Sequence, residues 1–302
     1  MEHFDYKRIL VPTDMSDFAT LALRYGALFR EKLGSSLTLL YADELYLPAD
    51  ILEAPIGYYL ENSPASRSKL QTKLTEYASA QIGGTFETVV VQDSPSRAIV
   101  NTSRQMKPDL IIMGTHGRRG LRRAILGSVT ENVLREADGP VLTVTPALMT
   151  GSEPTISHIL CPVNFTHVAR EALLRAAALA ESFDARLLAV YVIEGIEIDR
   201  ADDVESAFTQ WVEPQVRDRC DFTRIVIRDG HPAERVLKLA EDAKADLLVV
   251  GAQHKFFSDA TVIGTTTERI TRFARCPVLT VVRKARAEVH EEEPALAGAI
   301  GN

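Results

Sequence analysis

The sequence predicts an α/β protein made of two tandem doubly wound domains, each a five-stranded parallel sheet with helices on both faces. Three observations carry this prediction. The chain has 302 residues, which suits two domains of roughly 100–200 residues each. Its two halves repeat one another. Within each half, short continuous apolar runs alternate with segments of helical periodicity, the pattern of buried parallel strands joined by helical crossovers.

The repeat shows at three places in the same order. Arg8-Ile9-Leu10-Val11-Pro12-Thr13-Asp14 matches His158-Ile159-Leu160-Cys161-Pro162-Val163-Asn164 at an offset of 150 residues. Leu110-Ile111-Ile112-Met113-Gly114 matches Leu247-Leu248-Val249-Val250-Gly251 at an offset of 137, and Pro140-Val141-Leu142-Thr143-Val144 recurs identically as Pro277-Val278-Leu279-Thr280-Val281 at the same 137. The second copy is therefore 13 residues shorter, and because Pro95 and Pro232 already keep the later offset, the loss falls before the third strand. Ordered matches reconciled by one deletion mark a duplication. The expected domains are 1–148 and 155–284, joined by a linker over Pro146–Pro154. The Ala- and Glu-rich stretch 285–302 reads as a disordered tail.

In the first copy, Ile9–Pro12 is a short apolar run ending at proline. Ser16–Leu33 carries apolar residues at helical spacing (Phe18, Leu21, Ala22, Tyr25, Leu28, Phe29) and stops at Gly34. Leu37–Tyr41 reads as a strand, Ser66–Gln81 as a helix before Gly83-Gly84, and Thr85–Val91 as a β-branched strand. Pro95–Met106 reads as a helix, Leu110–Met113 as a buried strand, Ser128–Ala137 as a helix and Val141–Thr145 as the last strand. Asp43–Ser63, with Tyr46, Tyr58 and Tyr59, reads as a long surface loop. In such sheets ligands bind beyond the carboxyl ends of the strands, where the strand order reverses.

Composition narrows the function classes. The chain is 46% hydrophobic and 25% charged, ordinary for a globular protein, and its net charge of −7 argues against a general nucleic-acid binder. Cys161, Cys220 and Cys276 show no metal-ligand spacing and are too sparse for a disulfide framework, which suits a reducing compartment. The start, MEHFDYKRIL, has no signal-peptide pattern, and no apolar run approaches the ~18 residues of a membrane span. The expectation is a cytoplasmic protein with no membrane or nucleic-acid partner.

The chemistry concentrates after the fourth strand, where Gly114-Thr115-His116-Gly117 is followed by nine residues and then Gly127-Ser128. In this G-x2-G-x9-G-S pattern, glycines let backbone N–H groups approach phosphate oxygens without an intervening Cβ. A helix beginning at Ser128 offers free N–H donors and a positive dipole end. The hydroxyls of Ser128 and Thr130 can add donors, and Ser128-x-x-Glu131 reads as a capping box. A glycine turn before a capped helix gives the same residues a structural reading. The spacing is neither the G-x4-G-K-[ST] of a P-loop nor the G-x-G-x-x-G of a dinucleotide fold. Arg118, Arg119, Arg122 and Arg123 form a positive cluster between Gly117 and Gly127, able to screen phosphate or to be a solvated loop. Asp14 reads either as a ligand residue or as a cap before the first helix.

With these residues in hand, the whole chain resembles the tandem form of the universal stress protein family. The resemblance covers 7–145 and 157–283. It is carried by Ile9-Leu10-Val11-Pro12-Thr13-Asp14, by Met113-Gly114-Thr115-His116-Gly117 and by Gly127-Ser128-Val129-Thr130. It implies an adenine nucleotide alpha hydrolase-like fold and, from the glycine motif, the family's ATP-binding branch. By the same resemblance, Asp14 would meet the adenine amino group, with Pro12 and Thr13 beside it and Ala42 offering backbone to the base. Met113 and Gly114 would face the ribose and α-phosphate. Gly117, Gly127, Ser128, Val129 and Thr130 would hold the phosphates, with His116 and Arg118 alongside. The implied ligand is ATP or another adenine nucleotide, with Mg²⁺ expected beside a triphosphate. The final strands, which pair between domains in the family, imply a pseudo-two-fold pair of halves and a homodimer.

The second copy departs from this pattern at both ends. Asn164 replaces Asp14, and His254 replaces Gly117, where a side chain would intrude on phosphate. Gly264-Thr265-Thr266-Thr267-Glu268 keeps a helix start that reads as a Thr-x-x-Glu cap. A structural role with a degenerate site is expected there. Cys161 stands where the first copy has Val11 and reads as a buried apolar substitute. No catalytic constellation is visible. The sequence favours an ATP-binding stress-response regulator, a nucleotide-dependent sensor or switch with an unidentified protein partner. The alternatives are a slow ATPase or autophosphorylating enzyme, and a chaperone-like structural module.

Overall fold

A computed structural model describes residues 4–44, 64–115, 126–145, 153–193, 201–212, 216, 218–228, 230–253, 255–257, 260–262 and 264–283. The chain divides into two units, the first holding Asp5–Pro154 and the second Thr155 onward together with Phe4.

In the first unit, the apolar runs read from the sequence form β1 (Arg8–Pro12), β2 (Ser36–Ala42), β3 (Glu87–Val91), β4 (Leu110–Gly114) and β5 (Val141–Val144). Between them lie α1 (Asp17–Leu33), α2 (Pro64–Gln81), α3 (Pro95–Met106) and α4 (Ser128–Glu136). The strand order is β3-β2-β1-β4-β5, with every one of these pairings parallel. Buried strand residues make the core: Ile9, Leu10, Val11, Leu39, Leu40, Leu110 and Ile112 are essentially without solvent contact, each contributing roughly 1.5–3 kcal/mol. Ser16 caps α1 by accepting from the Ala19 amide, and Gly34 ends it at φ 66°, the left-handed geometry that suits glycine. The third strand starts at Glu87, two residues later than the apolar pattern suggests, because the Thr85 and Gly83 carbonyls are taken by Arg30 from α1.

The second unit repeats the plan with β6 (His158–Pro162), α5 (His167–Phe183), β7 (Arg186–Val192), α6 (Ala201–Trp211), β8 (Phe222–Ile227), α7 (Pro232–Asp242), β9 (Leu247–Gln253), α8 (Thr265–Phe273) and β12 (Val278–Arg283). Its parallel order is β12-β9-β6-β7-β8. One element was not anticipated. A two-stranded antiparallel ribbon, β10 (Lys255–Phe257) with β11 (Ala260–Val262), occupies the segment between the two glycine elements.

Each unit ties the start of its first strand in the same way. Asp109 Oδ2 accepts the amides of Lys7 at 3.0 Å and Arg8 at 2.8 Å, and Asp246 Oδ2 accepts those of Ser157 at 2.9 Å and His158 at 3.0 Å.

Candidate functional site

In the first unit the strand order reverses between β1 and β4, because β2 and β3 lie on one side of β1 and β5 on the far side of β4. The crevice expected of this topology therefore opens beyond the carboxyl ends of β1 and β4. Pro12, Thr13 and Asp14 leave β1 there, and Met113 and Gly114 end β4. Ala42 ends the neighbouring β2.

The β4 end and the α4 start, far apart in sequence, are locked together. The Gly127 amide donates to the Thr115 carbonyl at 2.9 Å, and Thr130 Oγ1 donates to the Gly114 carbonyl at 3.0 Å. These two bonds place Gly114 and Gly127 at one site. They also commit the Thr130 hydroxyl proton, so the side chain, 2% exposed, faces the sheet and offers its backbone amide rather than its O–H to a ligand.

The capping box does not form. The N-cap residue is Gly127, at φ −62° and ψ 142°, and no side chain closes the helix. Ser128 is the first helical residue and is exposed. Glu131 pairs instead with Arg135 one turn on. In the second unit the corresponding cap also fails: Gly264 is the N-cap, and Glu268 binds Arg272 at 2.8 Å. The helix starts one residue earlier than a Ser or Thr cap requires, which leaves the first-turn amides of Ser128, Val129 and Thr130 without a capping side chain. Open amides at a positive helix end are suited to an anion. Of the remaining expected site residues, Pro12 and Met113 are buried, and Val129 and Ala42 are half-buried. His116, Gly117 and Arg118 lie outside the described residues, as do Arg119, Arg122, Arg123, His254 and the stretches 45–63, 146–152 and 284–302.

The turn after β1 carries a signal that residue patterns do not reveal. Met15 sits at φ 60° and its counterpart Phe165 at φ 59°, a conformation uncommon for large side chains. Asp14 Oδ1 accepts the Ser16 amide at 3.0 Å, and Thr13 Oγ1 accepts the Met15 amide at 3.0 Å. Tyr77 of α2 reaches this turn: its hydroxyl lies 2.7 Å from Thr20 Oγ1. Burial pushes the Tyr77 phenol above its ordinary value, and the Asp14 and Asp17 charges add to the rise, so it stays protonated at neutral pH.

The second unit builds the same region differently. Phe165 packs on Tyr191 at 4.7 Å, on Trp211 at 5.7 Å and on Phe208 at 6.4 Å between ring centroids. Asn164 is exposed and accepts the Thr166 hydroxyl at 2.7 Å. A Cβ on Gly251 would stand 2.9 Å from the Val168 backbone, so packing alone accounts for that glycine. Thr267 Oγ1 reproduces the Thr130 bond by donating to the Gly251 carbonyl at 3.0 Å. Cys161 is fully buried and its thiol is strongly raised by desolvation, in keeping with an apolar substitute.

The profile of the universal stress protein family matches residues 5–145 and again 155–282. The chain belongs to the universal stress protein family. Among family members, universal stress protein MJ0577 of Methanocaldococcus jannaschii is 33% identical over 153 residues, covering 46% of this chain and 94% of its own length. Universal stress protein Rv2623 of Mycobacterium tuberculosis is 25% identical over 287 residues, covering 90% of this chain and 95% of its own. A solved universal stress protein from Archaeoglobus fulgidus superimposes with a TM-score of 0.70 at 20% identity, over 92% of this chain and 99% of that one. That likeness shows the universal stress protein fold. No helix among the described residues is long and apolar enough to cross a membrane.

Proposed function

We propose that the first unit binds one adenine nucleotide, ATP in the first instance, and that the protein acts as a nucleotide-dependent regulator in a stress response. The observation that carries this reading is the convergence at the switch point. Gly114 and the uncapped α4 start are bonded into one site through Thr115 and Thr130, across the crevice from Asp14.

The donor set fits a nucleotide. Phosphates would be held by the first-turn amides of α4 and by the glycine loop. The base would meet the Asp14 carboxylate, and the half-buried Ala42 backbone lies at the neighbouring strand end. A Mg²⁺ ion would neutralise triphosphate charge when bound. Among the described residues no group of three His, Cys, Asp or Glu side chains could cage a metal, so the cation would rely chiefly on phosphate and water oxygens. The second unit plays a structural part, with Asn164 and His254 in place of Asp14 and Gly117.

The test is to denature freshly purified protein and identify the released nucleotide, then repeat with Asp14→Ala and Gly117→Val. An adenine nucleotide near one per chain, lost in both variants, is the expected result. Retention at wild-type occupancy in both places the site elsewhere. Self-association of two chains belongs to the same proposal, and light scattering that shows a monomer at every concentration removes it.

A further inference from the structure

Each hydroxyl has a single proton to donate, and this rule gives the bonds around Tyr77 a direction. Thr20 Oγ1 donates to the Ser16 carbonyl at 3.1 Å, so in the 2.7 Å bond between them Tyr77 is the donor and Thr20 the acceptor. Beside it, Thr13 Oγ1 accepts the Met15 amide at 3.0 Å. The result is a hydroxyl relay from Tyr77 through Thr20 to the Ser16 carbonyl. It ends in the turn that holds Met15 at φ 60° and carries Asp14. A residue held in this region costs on the order of 1–3 kcal/mol and persists only where its surroundings fix it.

The fold does not require this relay. In the second unit Val163 and Arg170 stand at the positions of Thr13 and Thr20, and the equivalent turn, with Phe165 at φ 59°, is held by aromatic packing on Tyr191, Phe208 and Trp211. The hydroxyl relay belongs to the unit that keeps Asp14 and the full glycine spacing. We propose that Tyr77 is a positioning residue for base recognition, holding the Thr13–Ser16 turn in the one geometry that presents the Asp14 carboxylate. This rests on the reading of the first unit as an adenine-nucleotide site.

The experiment uses the full chain stripped of nucleotide and measures binding of ATP, GTP and inorganic tripolyphosphate by calorimetry. Tyr77→Phe removes the donor to Thr20 without changing the ring. The expected result is a preference for ATP over GTP that falls about tenfold, with tripolyphosphate affinity unchanged, because the phosphate end rests on α4. Amide exchange at Met15 should quicken in the same variant. Thr20→Val should reproduce the loss and Thr20→Ser should keep wild-type preference; if Tyr77→Phe does not fold, this pair decides. An ATP-to-GTP ratio unchanged in Tyr77→Phe and Thr20→Val, or equal losses for ATP and tripolyphosphate, overturns the positioning role. Wild-type protein that binds no nucleotide, or does not distinguish the bases, overturns the adenine reading itself, and the proposal with it.

Discussion

Replacing Gly251 with alanine asks whether the glycine that interrupts β9 is there for packing. The new Cβ would lie 2.9 Å from the carbonyl carbon and oxygen of Val168 and 3.0 Å from the Ala169 nitrogen. Ordinary contact needs about 3.5–4.0 Å, so the start of α5 must retreat by roughly half an ångström or more. The obstructing atoms are backbone, in the first turn of a helix whose Val168, Ala169 and Ala172 are buried, so no rotamer change relieves the clash. Overpacking of this kind costs about 1–3 kcal/mol. The chain has one tryptophan, Trp211 of α6 in the second unit, so its fluorescence in urea follows that unit alone. With a slope of about 2 kcal/mol per molar, the midpoint should fall by about 0.5–1.5 M. An unchanged midpoint would refute the packing account and reopen Gly251 as a ligand-facing glycine.

Four further outcomes are expected. Thr130→Val and Thr267→Val each leave a half-buried glycine carbonyl without its donor, and each should cost its own unit about 1–3 kcal/mol; calorimetry that finds both neutral would contradict the bonds to Gly114 and Gly251. Gly264→Asp places a carboxylate at an uncapped helix start where a Cβ meets nothing within 4 Å, and should stabilise the second unit by about 0.5–1 kcal/mol, read as a raised urea midpoint. The thiols of Cys220 and Cys276 are pushed up by burial to about 11 and about 12. Native protein at pH 8 should therefore react slowly with a disulfide reagent, at Cys220 first because Cys276 and Cys161 are buried. An acid whose folded pKa lies above its unfolded value of 9.0 stabilises the fold below that value. The second unit should thus lose stability as pH rises from about 9 toward 12, which alkaline urea titrations of Trp211 would detect.

Local composition determined much of this protein. Apolar runs bounded by Pro12, Gly34 and Pro95 specify strands and helices, because burial on both faces demands continuous hydrophobicity, while Gly34 in the left-handed conformation stops α1 and Pro95 opens the next helix after β3. The duplication, the glycine spacing and the exchange of Asp14 for Asn164 are likewise matters of residue order. Tertiary structure decided what depends on distant groups. Whether Ser128 caps α4 turns on where the helix starts, and the bonds from Gly127 to Thr115 and from Thr130 to Gly114 fix that start one residue earlier than the Ser-x-x-Glu pattern implies. The ribbon of β10 and β11 appears where sequence showed only a nine-residue gap. Tyr77 stands 57 residues from Thr20, a separation at which no periodicity signals contact. Only the packing of α2 against α1 joins Tyr77 and Thr20 into the relay that secures the Asp14 turn.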